Sequence, residues 1–156
     1  MTTQAALEAL YRKYNGPLYG YAYAILRSRA AAEDAVQVAF LRALTALDLS
    51  RDSAQIRSWL YVTVRNLCMD ALRRDARNAG EEPLFDLAAP GDASGERALL
   101  NQCLDALDDT ERQLWMLSLA GFRQREIAEL AGIPMGTVSW RMAQIRRKLR
   151  AVLSPR

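Results

Sequence analysis

The 156-residue chain contains no histidine, only two cysteines, and few glycines and prolines (eight and five). Without an imidazole, His-based acid–base chemistry, a Cys–His nucleophile pair and the mixed Cys/His zinc sites are all excluded. Cys68 and Cys103 stand far apart and read as small helix residues in a reducing compartment. Neither a glycine-rich phosphate loop nor a nucleophile–base pair appears, so an enzyme is the least supported class and no cofactor or metal is expected. No run of roughly 18 apolar residues is present to span a bilayer. The first residues include Glu8, Arg12 and Lys13 and lack a signal peptide's apolar block, so a cytoplasmic protein is expected. Strand signals are missing too, because the β-branched residues sit at helical spacings.

What remains is a helical pattern with unevenly placed charge. Residues 1–74 carry ten basic and six acidic side chains, residues 75–98 two and six, and residues 99–156 nine and six. Two basic blocks thus flank an acidic connector, which suggests two surfaces for a polyanion. The connector, DARNAGEEPLFDLAAPGDASGE, holds three glycines and two prolines and predicts an irregular linker, with Leu84, Phe85 and Leu87 available to dock. The expected organisation is all-α: a helical domain at 1–78, a linker at 79–98 and a second helical domain at 99–156.

In the first block a helix is predicted over 4–27 with Leu7, Leu10, Tyr11 and Tyr14 on one face, and Gly16-Pro17 as a point of kinking or interruption. A second helix over 31–47 groups Val36, Phe40, Leu44 and Leu47. After a polar break at 48–53, a third over 54–77 groups Ile56, Leu60, Val64 and Leu67. The second block predicts helices over 99–107 and 109–119, the latter opened by an Asp108/Glu111 capping box.

The final segment, GFRQREIAELAGIPMGTVSWRMAQIRRKLR, is the most informative. It predicts a short helix, a left-handed turn at Gly132, and a second helix beginning near Pro134 and Met135. Val138, Met142, Ile145, Leu149 and Val152 form one apolar stripe on that helix. Ser139, Trp140, Arg141, Gln144, Arg146, Arg147, Lys148 and Arg150 fall outside it, and no acidic residue follows Glu129. A helix with a buried seam and an uncompensated basic outer face suits a DNA major groove. Gln144 can pair bidentately with adenine and Ser139 with several bases, whereas Arg141, Arg146, Arg147 and Lys148 suit phosphates. Trp140 is one residue off the seam and is open to two roles, packing beneath the preceding helix or touching DNA.

Two further stretches, AAAEDAVQVAFLRAL (30–44) and SWLYVTVRNLCMDALRR (58–74), resemble the second conserved domain of bacterial sigma factors, and the block from Leu107 to Arg150 is similar to their fourth. With these two domains and a short linker, the chain resembles an extracytoplasmic-function (ECF) sigma factor. The resemblance implies that Glu33, Asp34, Gln37 and Arg42 dock on the coiled coil of RNA polymerase's largest subunit; read alone, two exposed neighbouring acids are normally just a solvated face. The family commonly has an acid where this chain has Val38, which removes one charge-assisted contact worth about 1–3 kcal/mol if desolvated. Asn66 matches a position among those that recognise the minus-ten element, and the loop from Leu49 to Ser53 matches the one that captures a base flipped out of the melted non-template strand, with Arg51, Arg57, Arg65, Arg73 and Arg74 placed to supply the phosphate neutralisation. Trp59 in this region reads most simply as core.

Ser139, Trp140, Ala143 and Gln144 match the family's base-reading positions in the minus-thirty-five element. The implied partners are core polymerase, including the flap of its second-largest subunit, duplex and melted promoter DNA, and an anti-sigma factor. Two other readings stand beside this one. A sigma mimic would sequester an anti-sigma partner without using DNA, but it would not need the arginines at 141–150. A response-regulator-type activator shares the turn and the Thr-Val pair, but would need an alternating-strand receiver that the first block lacks.

Overall fold

Seven α-helices and no strand occur among the residues that the computed structural model describes, 3–77 and 95–154. The chain divides into two compact units, Met1–Asp86 and Leu87–Arg156.

The first unit is built from α1 (Thr3–Leu26), α2 (Arg29–Ala46) and α3 (Ser53–Arg77). Helix α1 runs unbroken through Gly16-Pro17, where a kink or interruption was expected. Lys13, Gly16 and Pro17 are all exposed, so water can satisfy the carbonyl that lacks the proline's amide. The buried face of α1 lies further along than predicted, at Tyr14, Leu18, Tyr21, Ala22 and Ile25. Tyr11 is 45% exposed. Between α1 and α2, Arg27 adopts a left-handed φ of 54°. Ser28 then caps α2 by accepting the Ala31 amide at 3.2 Å.

Helix α2 departs most from the periodicity reading. Its buried residues are Ala32, Ala35, Val36, Ala39 and Ala43, whereas Leu44 is 58% and Leu41 63% exposed. The seam is made of alanines, so α1 and α2 approach closely and the large aliphatics are left outside. Ala39→Leu is therefore expected to destabilise the unit by about 1–3 kcal/mol through overpacking, measured as a lowered denaturation midpoint. In α3 the core residues are Ile56, Leu60, Tyr61, Val64 and Cys68, with Leu67 only half-buried. The rings of Tyr21 and Tyr61 meet at 5.3 Å. Burial pushes the Cys68 thiol up to about 12, which leaves it protonated and unreactive near neutral pH.

The second unit comprises α4 (Gly95–Ala106), α5 (Asp109–Leu119), α6 (Gln124–Ala131) and α7 (Met135–Leu153). Helix α4 begins four residues before the predicted start, so 95–98 of the expected linker are helical, as are Asp75–Arg77 at the end of α3. The rest of that linker, with Leu84, Phe85 and Leu87, lies outside the described residues.

The capping box is present: Asp108 accepts the Glu111 amide at 2.8 Å and Glu111 accepts the Asp108 amide at 2.9 Å. Gly132 closes α6 at φ 71°, the left-handed turn that lets α7 start three residues later. Val138, Met142, Ile145 and Leu149 are buried as predicted, and Val152 is half-buried. At about 1.5–3 kcal/mol for each large side chain removed from water, this seam fixes which face of α7 points outward.

Candidate nucleic-acid and polymerase interfaces

On α2, Asp34, Gln37, Leu41 and Leu44 are spaced by three, four and three residues and form one exposed stripe. Between this stripe and α1 runs a groove of about 740 Å³, lined among others by Leu7, Glu8, Tyr11, Gln37, Phe40, Leu41 and Leu44. Tyr11 and Phe40 meet edge-on at 5.0 Å within it. A smaller, more polar recess of about 250 Å³ shares Tyr11 and Gln37 and adds Asn15, Tyr19 and Glu33. Glu33, Asp34 and Gln37 are thus gathered on one side of α2. Arg42 is exposed as well, but helical spacing turns it away from the groove, on the side of the half-buried Val38. The apolar members Leu41 and Leu44 were not foreseen, and their signal was the alternative alanine seam at helical period.

The loop before α3 is braced by its own acids. Asp48 accepts both the amide and the hydroxyl of Ser50, at 2.9 and 2.6 Å, and pairs loosely with Arg51 at 4.0 Å. The Ser50 hydroxyl, then its amide, hold the Asp48 carboxyl below the usual aspartate value. Asp52 accepts the Gln55 amide at 2.8 Å and so caps α3. Along α3, Gln55, Trp59, Val62, Asn66 and Arg73 lie on one face, and Trp59 is half-buried beside a shallow recess of about 470 Å³. Of the residues expected at the melted strand, Asn66 and Arg73 share this face, Arg65 and Arg74 fall on its two flanks, and Arg51 stands in the loop. Arg73 also contacts Asp70 one turn earlier.

In the second unit the outer face of α7 presents Gly136, Trp140, Ala143, Gln144, Arg147 and Arg150, and Trp140 is 60% exposed. Packing beneath the preceding helix is thereby ruled out for this tryptophan. Ser139 and Arg146 lie on the flank towards α6, where the Ser139 hydroxyl donates to Gln124 at 2.7 Å.

Arg141 and Lys148 lie on the opposite flank and are tied inward. Arg141 pairs with Asp108 at 3.1 Å and Lys148 with Glu111 at 2.6 Å. Glu111 is 1% exposed, and its carboxylate joins the capping box of α5 to α7. The link leaves no local pattern in the sequence, since the partners are 33 and 37 residues apart.

For Asp108, burial works to raise the carboxyl pKa. The Glu111 amide, Arg141 and Lys148 outweigh it and hold the group below its ordinary 3.8. A lowered folded-state pKa contributes stability above the unfolded value that is lost as pH falls through the folded one. The stability advantage of the natural chain over Asp108→Asn is therefore expected to shrink as pH drops below 3.8, which acid titration of helicity measures.

With the turn at Gly132, α6 and α7 form a helix-turn-helix whose second helix turns arginines outward and itself carries no acid. Residues 10–78 match the Sigma-70 region 2 family. The chain is 31% identical over 152 residues to the ECF RNA polymerase sigma factor SigM of Mycobacterium tuberculosis, covering 95% of this chain and 77% of that protein. It is 32% identical to SigW of Bacillus subtilis over 158 residues, covering 90% and 84%. The chain belongs to the ECF RNA polymerase sigma factors.

Two solved structures share the fold. One is CnrH in complex with the cytosolic domain of CnrY, with a TM-score of 0.67 at 27% identity, covering 97% of this chain and 89% of that one. The other is the sigma factor RpoE in complex with the anti-sigma factor NepR from Bartonella quintana, with a TM-score of 0.71 at 18% identity, covering 94% and 97%.

Proposed function

We propose that this chain is a dissociable promoter-recognition subunit, in which the α2 groove docks on core RNA polymerase, α3 holds the melted minus-ten strand and α7 reads the minus-thirty-five duplex. The observation that carries this reading is similarity to sigma factors along 95% of the chain, a span that includes both α3 and α7. The domain roles follow: residues 1–78 serve core and minus-ten binding, and 99–156 serve minus-thirty-five binding.

Glu33, Asp34 and Gln37 supply the polar contacts to the coiled coil of the largest subunit, with Leu41 and Leu44 adding apolar area beside them. An apolar surface of this kind also offsets the missing acid at Val38. The second unit meets the flap of the second-largest subunit. On α7, Gln144 reads a base, and Arg146, Arg147 and Arg150 neutralise phosphates. Arg141 and Lys148 act chiefly by holding the helix in place.

The chain binds and opens DNA, and the bond-forming chemistry is the polymerase's. No helix among the described residues is long and apolar enough to cross a membrane. We place the protein in the cytoplasm, at the nucleoid when polymerase-bound. Both structural neighbours were solved with a partner protein, one of them an anti-sigma factor, and the same kind of control is proposed here.

Gln144→Ala is expected to lower promoter-specific transcription about 10-fold, the size of one lost bidentate base contact, with core binding unchanged. Run-off transcription and co-purification with core polymerase measure the two effects, and an equal loss in both would remove the base-reading role.

A further inference from the structure

Trp140 is the largest apolar side chain on the outer face of α7, and it stands in a clearing. A Cβ added at Gly136, one turn earlier, would meet nothing within 4 Å, and Ala143, one turn later, is small and exposed. The indole is also held. The Arg141 guanidinium lies 5.9 Å from its ring centroid, and Arg141 is itself fixed by Asp108 at 3.1 Å. A large aromatic held on low helical relief, on a helix that itself carries no acid and has Arg147 and Arg150 on the same face in the turns that follow, suits a duplex better than an apolar protein partner.

The chemistry of the indole selects among bases. It offers an apolar ring and a single N–H donor, with no acceptor. In the major groove only thymine sets an apolar group, its C5-methyl, beside an acceptor, O4. Cytosine presents a donor that would oppose the indole N–H, and guanine and adenine present no methyl.

We propose that Trp140 is a specificity-determining residue that reads thymine through its C5-methyl group, positioned by the Asp108–Arg141 pair. This rests on the reading of α7 as a duplex reader and names the base that one of its positions takes. Arg141 is accordingly a positioning residue for the ring.

The test uses holoenzyme assembled from the full chain and core polymerase to select upstream elements from a randomised duplex library. Each thymine of the recovered element is then replaced singly by deoxyuridine, which removes the methyl and keeps every hydrogen-bonding group. Loss of about 4-fold in affinity is expected at one thymine, the worth of one buried methyl. Trp140→Ala should bind the thymine and deoxyuridine duplexes equally, and Trp140→Phe should keep part of the difference. Because Trp140 is 60% exposed and outside the buried seam, these variants should fold.

Equal binding of the thymine and deoxyuridine duplexes by the natural chain at every position would overturn the inference while leaving duplex reading intact. So would a difference that survives in Trp140→Ala. Failure to enrich any upstream sequence would sink the duplex reading and this inference together.

Discussion

Leu44→Asp is expected to weaken association with core polymerase by about 30-fold, the scale of a 2 kcal/mol interface anchor, and to leave the stability of the free chain within about 0.5 kcal/mol. Leu44 is 58% exposed and Leu41 63%, so neither contributes much to the core of the first unit. Both line a groove that also holds the Tyr11–Phe40 contact, where a partner helix would remove them from water. A carboxylate there would be desolvated without a counter-ion when the partner docks. Read from periodicity alone, Leu44 belongs to the buried seam, and the same substitution would unfold the unit. Thermal melting and co-purification with core polymerase separate the two. A lowered melting temperature would restore the seam reading, and unchanged co-purification would remove the groove from the polymerase interface.

Glu111→Ala is expected to destabilise the second unit by about 3 kcal/mol and to abolish upstream-element recognition, while core docking through the first unit persists. The Glu111 side chain is 2% exposed, and one oxygen accepts both the Asp108 amide at 2.9 Å and the Lys148 ammonium at 2.6 Å. Removing it opens the cap of α5 and takes the partner from Lys148 on α7, so the packing of α7 and its register loosen together. Lys148→Met should cause a related loss by leaving a buried carboxylate without its cation, although the capping contact to Asp108 survives. Melting of the second unit's helicity measures both. A melt unchanged in Glu111→Ala would show that the link to α7 is not structural.

The seam of α7 could be read because every buried position is a large aliphatic at spacings of three and four, and nothing of similar size lies opposite except Trp140. The turn at Gly132 could be read because few residues other than glycine take a left-handed φ cheaply. The seam of α2 was misread because periodicity weights size, whereas close helix contact selects alanine and pushes leucine out. Pro17 was overweighted because a proline's cost depends on whether its freed carbonyl is buried, and here that side of α1 is solvated. The partners of Arg141 and Lys148 were invisible because ionic contacts between separate helices leave no local pattern. Family resemblance supplied the assignment of Asn66, which composition and spacing alone would have left as an exposed polar residue.

The most direct test of the central claim is run-off transcription with purified core polymerase, the full chain and a promoter library. The account predicts transcripts from discrete start sites, each preceded by a common pair of elements, that appear only when the chain is added. Core polymerase that yields the same diffuse products with and without the chain would contradict it.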